Sequence, residues 1–184
     1  LLVPELADWC TLEVLDDDGP LHRLALVRTA GAFMDAAEEV RHRYVPHPVR
    51  RQRIAGVLRH GRAALLADVT AGMLARFAVD ERHHELLTTL GARSVIFAPL
   101  PARGRTVGML ALVMGHSGRR YEPRDLALAV ELARRVGLAL DNARLYAEAQ
   151  AARAQAEASQ RRVAFLAEVS ATLAASLDYR TTLQ

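Results

Sequence analysis

The hydrophobic positions in the first half of the chain predict strands joined by helices. Residues 9–15 form an apolar, β-favouring run that ends in Asp-Asp-Asp-Gly-Pro, a sequence that favours a turn. Residues 21–28 alternate between apolar and polar positions, so the two runs are predicted to pair as a hairpin. Helical periodicity and turn residues then predict helices at 33–44, 49–60, 71–77 and 82–90, with a short strand at 64–69.

The clearest strand signal is a second hairpin. Its strands, at 94–100 and 107–114, are apolar at both alternating sets of positions and are separated by Pro-Ala-Arg-Gly-Arg. Strands that are apolar on both faces are normally covered on both faces. The sheet is therefore predicted to lie between two covering layers.

From Pro123 the hydrophobic period becomes that of a long helix. Proline is favourable at a helix start, and no further proline follows up to residue 146. The apolar positions cover about 200° of the helix surface, whereas a helix that covers only its own sheet needs about 100°. We therefore expect a second copy of the chain to pack here, as a homodimer through terminal helices. The candidate interface residues are Leu128, Leu132, Val136 and Leu140.

The composition is that of a globular protein. Of 184 residues, 51% are hydrophobic and 24% are charged, which suits one domain with a substantial core. No run approaches the eighteen or so apolar residues of a membrane span. Residues 1–6 lack the features of a signal peptide, and the chain opens without Met, as a fragment or a processed product would. One cysteine forms no internal disulfide, so a cytoplasmic location is predicted.

The charge balance does not indicate a nucleic-acid partner. The net charge is +3, and all 24 basic residues are arginines. They are scattered along the chain, and aromatic residues, at 5%, are too few for base-stacking platforms. Neither nucleic acid nor membrane is expected as a partner.

Few residues carry patterns that indicate chemistry. Cys10 lies within the first predicted strand, which favours a buried structural thiol over a reactive one. His83 and His84, with acidic neighbours, suit a metal or an anionic ligand or, more simply, a solvated charged helix face. No motif selects any of the seven histidines as a haem ligand, and no nucleophile lies in a catalytic motif. We expect neither a metal site nor an enzyme.

Three segments together resemble a known family. The segments 94–100 (SVIFAPL), 104–110 (GRTVGML) and 140–146 (LDNARLY) resemble the last two strands and closing helix of a GAF domain, in that order and spacing. The opening Ala-Asp-Trp-Cys at 7–10 is similar to GAF domains of actinobacterial signalling proteins. Residues 165–179 resemble the first helix of a second such sensor module, which a serine phosphatase or histidine kinase commonly follows.

The resemblance implies a division of the chain and an architecture. A sensory domain would occupy 1–150, a polar helical linker 151–162, and the start of the following module 163–184. The implied fold is α+β, a central antiparallel sheet of five or six strands. Lid helices would cover one face of this sheet and terminal helices the other.

The resemblance also implies a function. Such domains are non-catalytic sensors that bind a small molecule between sheet and lid, or that only dimerise. Candidate ligand-binding residues are Phe77, His83, Arg93 and Phe97. No cofactor is specified by the sequence. The alternative is a ligand-free dimerisation scaffold whose cavity is plugged by Leu74, Phe77 and Leu86. A methionine sulfoxide reductase of this fold needs several reactive cysteines, and the lone Cys10 argues against it.

Overall fold

The computed structural model describes residues 2–15, 21–28, 34–44 and 52–181. The predicted turn at 16–20 and the Pro-His-Pro sequence at 46–48 lie outside the described residues. The strands are β1 (Trp9–Leu15), β2 (Leu21–Arg28), β3 (Ala64–Leu66), β4 (Ser94–Ala102) and β5 (Arg105–Met114). The helices are α1 (Met34–Arg43), α2 (Gln52–His60), α3 (Ala71–Phe77), α4 (Glu81–Leu90) and α5 (Pro123–Thr181).

The strands form one antiparallel sheet with the order β2-β1-β5-β4-β3. Both predicted hairpins are present as β1–β2 and β4–β5. The strand predicted at 64–69 is shorter, because after Leu66 the chain leaves β4 and the N–H of Val69 bonds to the carbonyl of Arg93. The fold class is α+β, as predicted.

The chain divides into two compact units, Leu1–Asp141 and Asn142–Gln184. The first unit contains the sheet. In the second, the described residues are helical, with no break between the predicted linker at 151–162 and the residues that follow it. The predicted domain boundaries at 150 and 162 stay a prediction.

One face of the sheet packs against the first part of α5. Alternate residues of β4, including Ile96, Ala98 and Leu100, share a buried cluster with Ala129 and Ala133 of the helix. The helix comes very close to β4, since a Cβ on Gly137 would lie 2.7 Å from the carbonyl oxygen of Pro101. Only glycine at this position lets the two backbones approach to this distance.

The other face of the sheet is covered by a lid, which consists of α1, α2, α3 and α4. The intervening residues of β4, Val95 and Phe97, pack there with Ile54 and Val57 of α2. The hairpin β4–β5 is thus covered on both faces, as its pattern predicted. None of the helices described here combines the length and apolar character that a membrane span requires.

The over-wide apolar stripe of α5 divides between the core and the surface. Of the four candidate interface residues, Val136 and Leu140 pack against the core of their own chain, and Leu132 is partly buried. Leu128 is 47% exposed. Of these four, Leu128 is therefore the most available to a second copy, and the dimer interface stays a prediction.

Asp8 connects the start of β1 to the segment that leads from β5 into α5. Its Oδ2 accepts hydrogen bonds from the N–H of Gly115 (2.7 Å), from the N–H of Ser117 (2.9 Å) and from the Ser117 hydroxyl (2.8 Å). Burial by itself would raise the pKa of this carboxyl. The hydrogen bonds and the nearby Arg119 outweigh that effect, so the pKa lies below its ordinary value.

We predict that Asp8→Asn lowers the free energy of unfolding at pH 7 by about 1–2 kcal/mol, because the donors lose a charged acceptor. A carboxyl with a depressed pKa stabilises the fold above its unfolded-state pKa of about 3.9, and that stability is lost as the pH falls through the folded-state value. The difference in free energy of unfolding between the wild-type protein and Asp8→Asn should therefore shrink below a pH of about 4. Urea denaturation across pH measures it.

The matched control is Asp68→Asn, which removes a carboxylate that is 65% exposed and pairs with the half-exposed Arg120. Little change in stability is expected, because exposed pairs contribute little. An Asp8→Asn deficit that persists unchanged at low pH would show that the charge of Asp8 is not what stabilises this junction.

Candidate ligand-binding cavity

A cavity of about 90 Å³ lies between the sheet and the lid. Its sheet side is formed by neighbouring residues of three strands, because the register places Thr11 beside Ala111 and Ala111 beside Phe97. Its lid side is formed mainly by apolar residues, which include Ile54, Met73, Leu74, Phe77 and Leu87. The cavity is therefore mostly apolar.

The polar lining comes chiefly from β1. Trp9, Thr11 and Glu13 alternate along this strand and line the cavity, whereas Cys10 and Leu12 between them pack on the α5 side. Burial raises the pKa of the Cys10 thiol. The cysteine is thus a buried residue of the opposite face and does not line the cavity.

Glu13 forms a buried ion pair with Arg23 of the neighbouring strand. The Glu13 and Arg23 side chains are 3% and 6% exposed. Arg23 donates from Nε (3.3 Å) and Nη2 (3.2 Å) to Oε1 of Glu13, and from Nη1 (2.7 Å) to the carbonyl of Val40 in α1. The pair brings no net charge to the cavity, and it connects the sheet edge to the lid.

His83 is held in the lid by the N-terminal cap of α4. Asp80 accepts hydrogen bonds at Oδ1 from the N–H of His83 (2.8 Å) and from the Tyr44 hydroxyl (2.9 Å). The N–H of His83 is the largest cause that lowers the pKa of Asp80. The Tyr44 ring stacks on the imidazole with centroids 4.2 Å apart.

A hydrogen bond to the imidazole of His83 determines the tautomer of the neutral ring. The N–H of Val79 donates to Nδ1 (3.2 Å), so the neutral ring carries its proton on Nε2. His83 is 1% exposed, so the expected solvated helix face is wrong for this residue. His84 beside it is partly exposed. The described residues contain no group of three or more side chains suited to hold a metal ion.

Trp9, a residue of the cavity lining, carries a buried polar group that lacks a hydrogen-bond partner among the described residues. Its Nε1 atom is buried and donates to no acceptor there. The indole packs against the cluster around β5 and also against the cluster that joins α1 to α4.

Comparison with known proteins agrees with this geometry. The family model of the GAF domain matches residues 6–140. The chain belongs to the GAF family. GAF domains are sensory, ligand-binding modules of signalling proteins and are generally non-catalytic. No curated protein matches the chain.

Solved structures show the same fold at low sequence identity. A GAF domain from Synechocystis sp. in its photoproduct state has a TM-score of 0.58 and 15% identity, over 79% of this chain and 89% of that one. A GAF domain/HD domain protein from Geobacter sulfurreducens has a TM-score of 0.57 and 14% identity, over 76% of this chain and 83% of that one. The second GAF domain of DevS from Mycobacterium smegmatis has a TM-score of 0.55 and 18% identity, over 80% of this chain and 89% of that one. These likenesses establish the architecture.

The GAF cavity brings together three of the four residues predicted to bind ligand. Phe77, His83 and Phe97 line it, and the two phenyl rings lie 6.3 Å apart. Arg93 is exposed and does not line it. Their roles in binding stay predictions. Of the predicted plug residues, Leu74 and Phe77 line the cavity, whereas Leu86 packs against α1.

Sequence reasoning missed the polar wall of this GAF domain. Trp9, Glu13 and Arg23 were not among the candidate residues. A signal was available, because Glu13 lies on the same alternating face of its strand as Trp9 and Thr11, where an acidic residue is unusual. The partner of Glu13 was not readable, since the register between β1 and β2 shifts between Leu12 and Glu13.

We predict that Arg23→Met costs about 3–5 kcal/mol of stability, because it leaves the Glu13 carboxylate buried without its cation. The double variant Glu13→Leu/Arg23→Met should be less destabilised than the single one, since neither charge is then buried alone. Chemical denaturation of both variants measures this.

The control is Arg153→Met, which breaks the exposed pair with Glu157 and should change stability little. If the double variant is no more stable than Arg23→Met, packing and not charge dominates at this position.

Proposed function

We propose that this GAF domain is a sensor that binds a small molecule in the cavity between sheet and lid and relays its occupancy through α5 in a homodimer. The observation that carries the proposal is the cavity itself. It lies between two packed layers, is lined mostly by apolar residues, and contains a buried polar wall on β1.

The lid contains an element suited to respond to a ligand. No residue of α3 is fully buried, although its Met73, Leu74 and Phe77 all line the cavity. The helix has seven residues and is capped by Thr70, whose hydroxyl accepts from the N–H of Met73 at 3.3 Å. A short helix with few buried contacts belongs to the less stable parts of a fold. Occupancy of the cavity would therefore change the packing of α3 first.

The sheet supplies a route from the cavity to α5. Phe97 of β4 lines the cavity, while Ile96 and Ala98 on either side of it pack toward the helix. A displacement of this strand changes both layers, because well-packed layers move between discrete arrangements. In a dimer this would alter the relative position of the paired helices.

The proposal extends to the kind of protein that contains this domain and to the domains that follow it. The similarity of residues 7–10 and 165–179 to such modules supports an actinobacterial signalling protein of the cytoplasm, with a second GAF module and a serine phosphatase or histidine kinase after this domain. The downstream domain would be its partner within the same chain.

A ligand-free dimerisation scaffold is the second candidate. Leu74 and Phe77 already occupy the lid side of the cavity, and its volume is small. In that case α5 would pair without any control by a ligand.

Native mass spectrometry of freshly purified protein separates the two functions. We expect a dimer that carries a small mass, which is lost when the same sample is denatured. Ala111→Leu should abolish the bound mass, because it places an isobutyl group in the cavity wall. Ala127→Leu, the same substitution at an exposed position of α5, should retain it. A wild-type dimer without added mass, unchanged by the cavity variant, would favour the scaffold.

We predict that Leu128→Arg, alone or with Leu132→Arg, converts the dimer to a monomer, because a guanidinium would be buried without a partner between helices. Leu138→Arg is the matched control. It makes the same change at a 41% exposed position, about 80° from Leu128 and about 120° from Leu132 on the helix surface at 100° per residue. Light scattering with size-exclusion chromatography measures the mass. Dimers that survive Leu128→Arg and Leu132→Arg together would exclude this helix face as the interface.

A further inference from the structure

Trp9, which lines the cavity, carries a buried hydrogen-bond donor. The N–H at Nε1 of Trp9 is buried without an acceptor among the described residues. An indole nitrogen donates and never accepts. A buried donor without a partner costs about 1–3 kcal/mol, and nearly all such groups in folded proteins are satisfied. A ligand that brings an acceptor to this wall removes that cost.

The charges around the cavity cancel. Glu13 and Arg23 neutralise one another, and Arg23 uses Nε, Nη1 and Nη2 in bonds to the protein. His83 accepts a backbone N–H at Nδ1, as the neutral ring does. An ion transferred into this mostly apolar cavity would lose its hydration without meeting an opposite charge. The cavity therefore favours an uncharged molecule.

The volume limits the size of the occupant. A cavity of about 150 Å³ accommodates benzene, which has six heavy atoms. The cavity here is smaller, at about 90 Å³. With the lid as it stands, it accommodates a compact molecule of roughly four or five heavy atoms.

We propose that the ligand of this cavity is a compact, uncharged, mostly apolar molecule with one hydrogen-bond acceptor, such as a small carbonyl compound, whose acceptor is bound by Nε1 of Trp9. This inference rests on the proposed sensor function and specifies its ligand class. It assigns Trp9 a role in specificity, while the apolar walls supply most of the contact.

The test uses two probes of nearly equal shape, cyclobutanone and methylenecyclobutane, which differ in that only the first has an acceptor. Trp9 is the single tryptophan of the chain, so the protein gives one indole N–H resonance. In titrations of the wild-type protein, cyclobutanone should shift this resonance downfield, as a new hydrogen bond does. Methylenecyclobutane should perturb the methyl groups of the cavity wall without that downfield shift.

A variant pair then isolates the hydrogen bond. Trp9→Phe keeps an aromatic ring and removes the donor, so it should weaken cyclobutanone binding roughly 2- to 12-fold relative to methylenecyclobutane. The comparison with the hydrocarbon corrects for the different hydration of the two probes. Met109→Leu alters the cavity wall without removing a donor, and it should change the affinities of both probes by the same factor.

The outcomes distinguish this inference from the function on which it rests. If both probes bind but Trp9→Phe affects them equally, or if the indole resonance does not respond to cyclobutanone, the acceptor class is wrong and the sensor proposal stands. If neither probe binds and the purified protein retains a mass as large as a nucleotide or a tetrapyrrole, the size limit is wrong. If neither binds and no mass is retained, both proposals fail.

Discussion

The structure depends on one constraint, which is that the central hairpin β4–β5 is apolar on both faces. Such a hairpin is stable only when two separate layers remove it from water, and the remaining elements supply them. The first part of α5 covers one face, at a distance that requires Gly137. The lid covers the other face less completely and leaves the cavity. Because both layers contact the same strands, the cavity wall and the helix that leaves the domain share β4 as a common element.

The cavity combines an apolar interior with polar groups that are costly to bury. Glu13 and Arg23 are stable there because they form an ion pair with two hydrogen bonds to Oε1 of Glu13, and because the carbonyl of Val40 accepts from Nη1 of Arg23. His83 is stable because Asp80, Val79 and Tyr44 surround it with hydrogen bonds and a stacked ring. Trp9 differs from these groups, since its donor has no such arrangement among the described residues. The proposed ligand would supply the acceptor that this donor lacks.

Prediction from sequence succeeded where the signal is local and differed where packing decides. The strand Trp9–Leu15 has the bounds of the apolar run that predicts it, and Leu21–Arg28 has those of the alternating pattern. The helix α4 ends at Gly91, in the left-handed conformation that glycine adopts readily. His83 was predicted as a candidate ligand-binding residue, and its acidic neighbours also suited a solvated helix face. Only the rotation of α4 about its axis, which the structure shows, places it inward. Arg93 was also a candidate ligand-binding residue, but it precedes β4, is exposed and does not line the cavity.

The order of the elements, the two-sided burial of the central hairpin and the surplus of apolar surface on α5 are predictable without a structure. These properties follow from side-chain periodicity along the chain. The residues that meet across the cavity are not predictable in this way. The pairing of Glu13 with Arg23 depends on a register shift, the burial of His83 on the rotation of a helix, and the isolation of the Trp9 N–H on what packs around it. Contacts between distant segments depend on how layers fit together, and no local pattern contains that information.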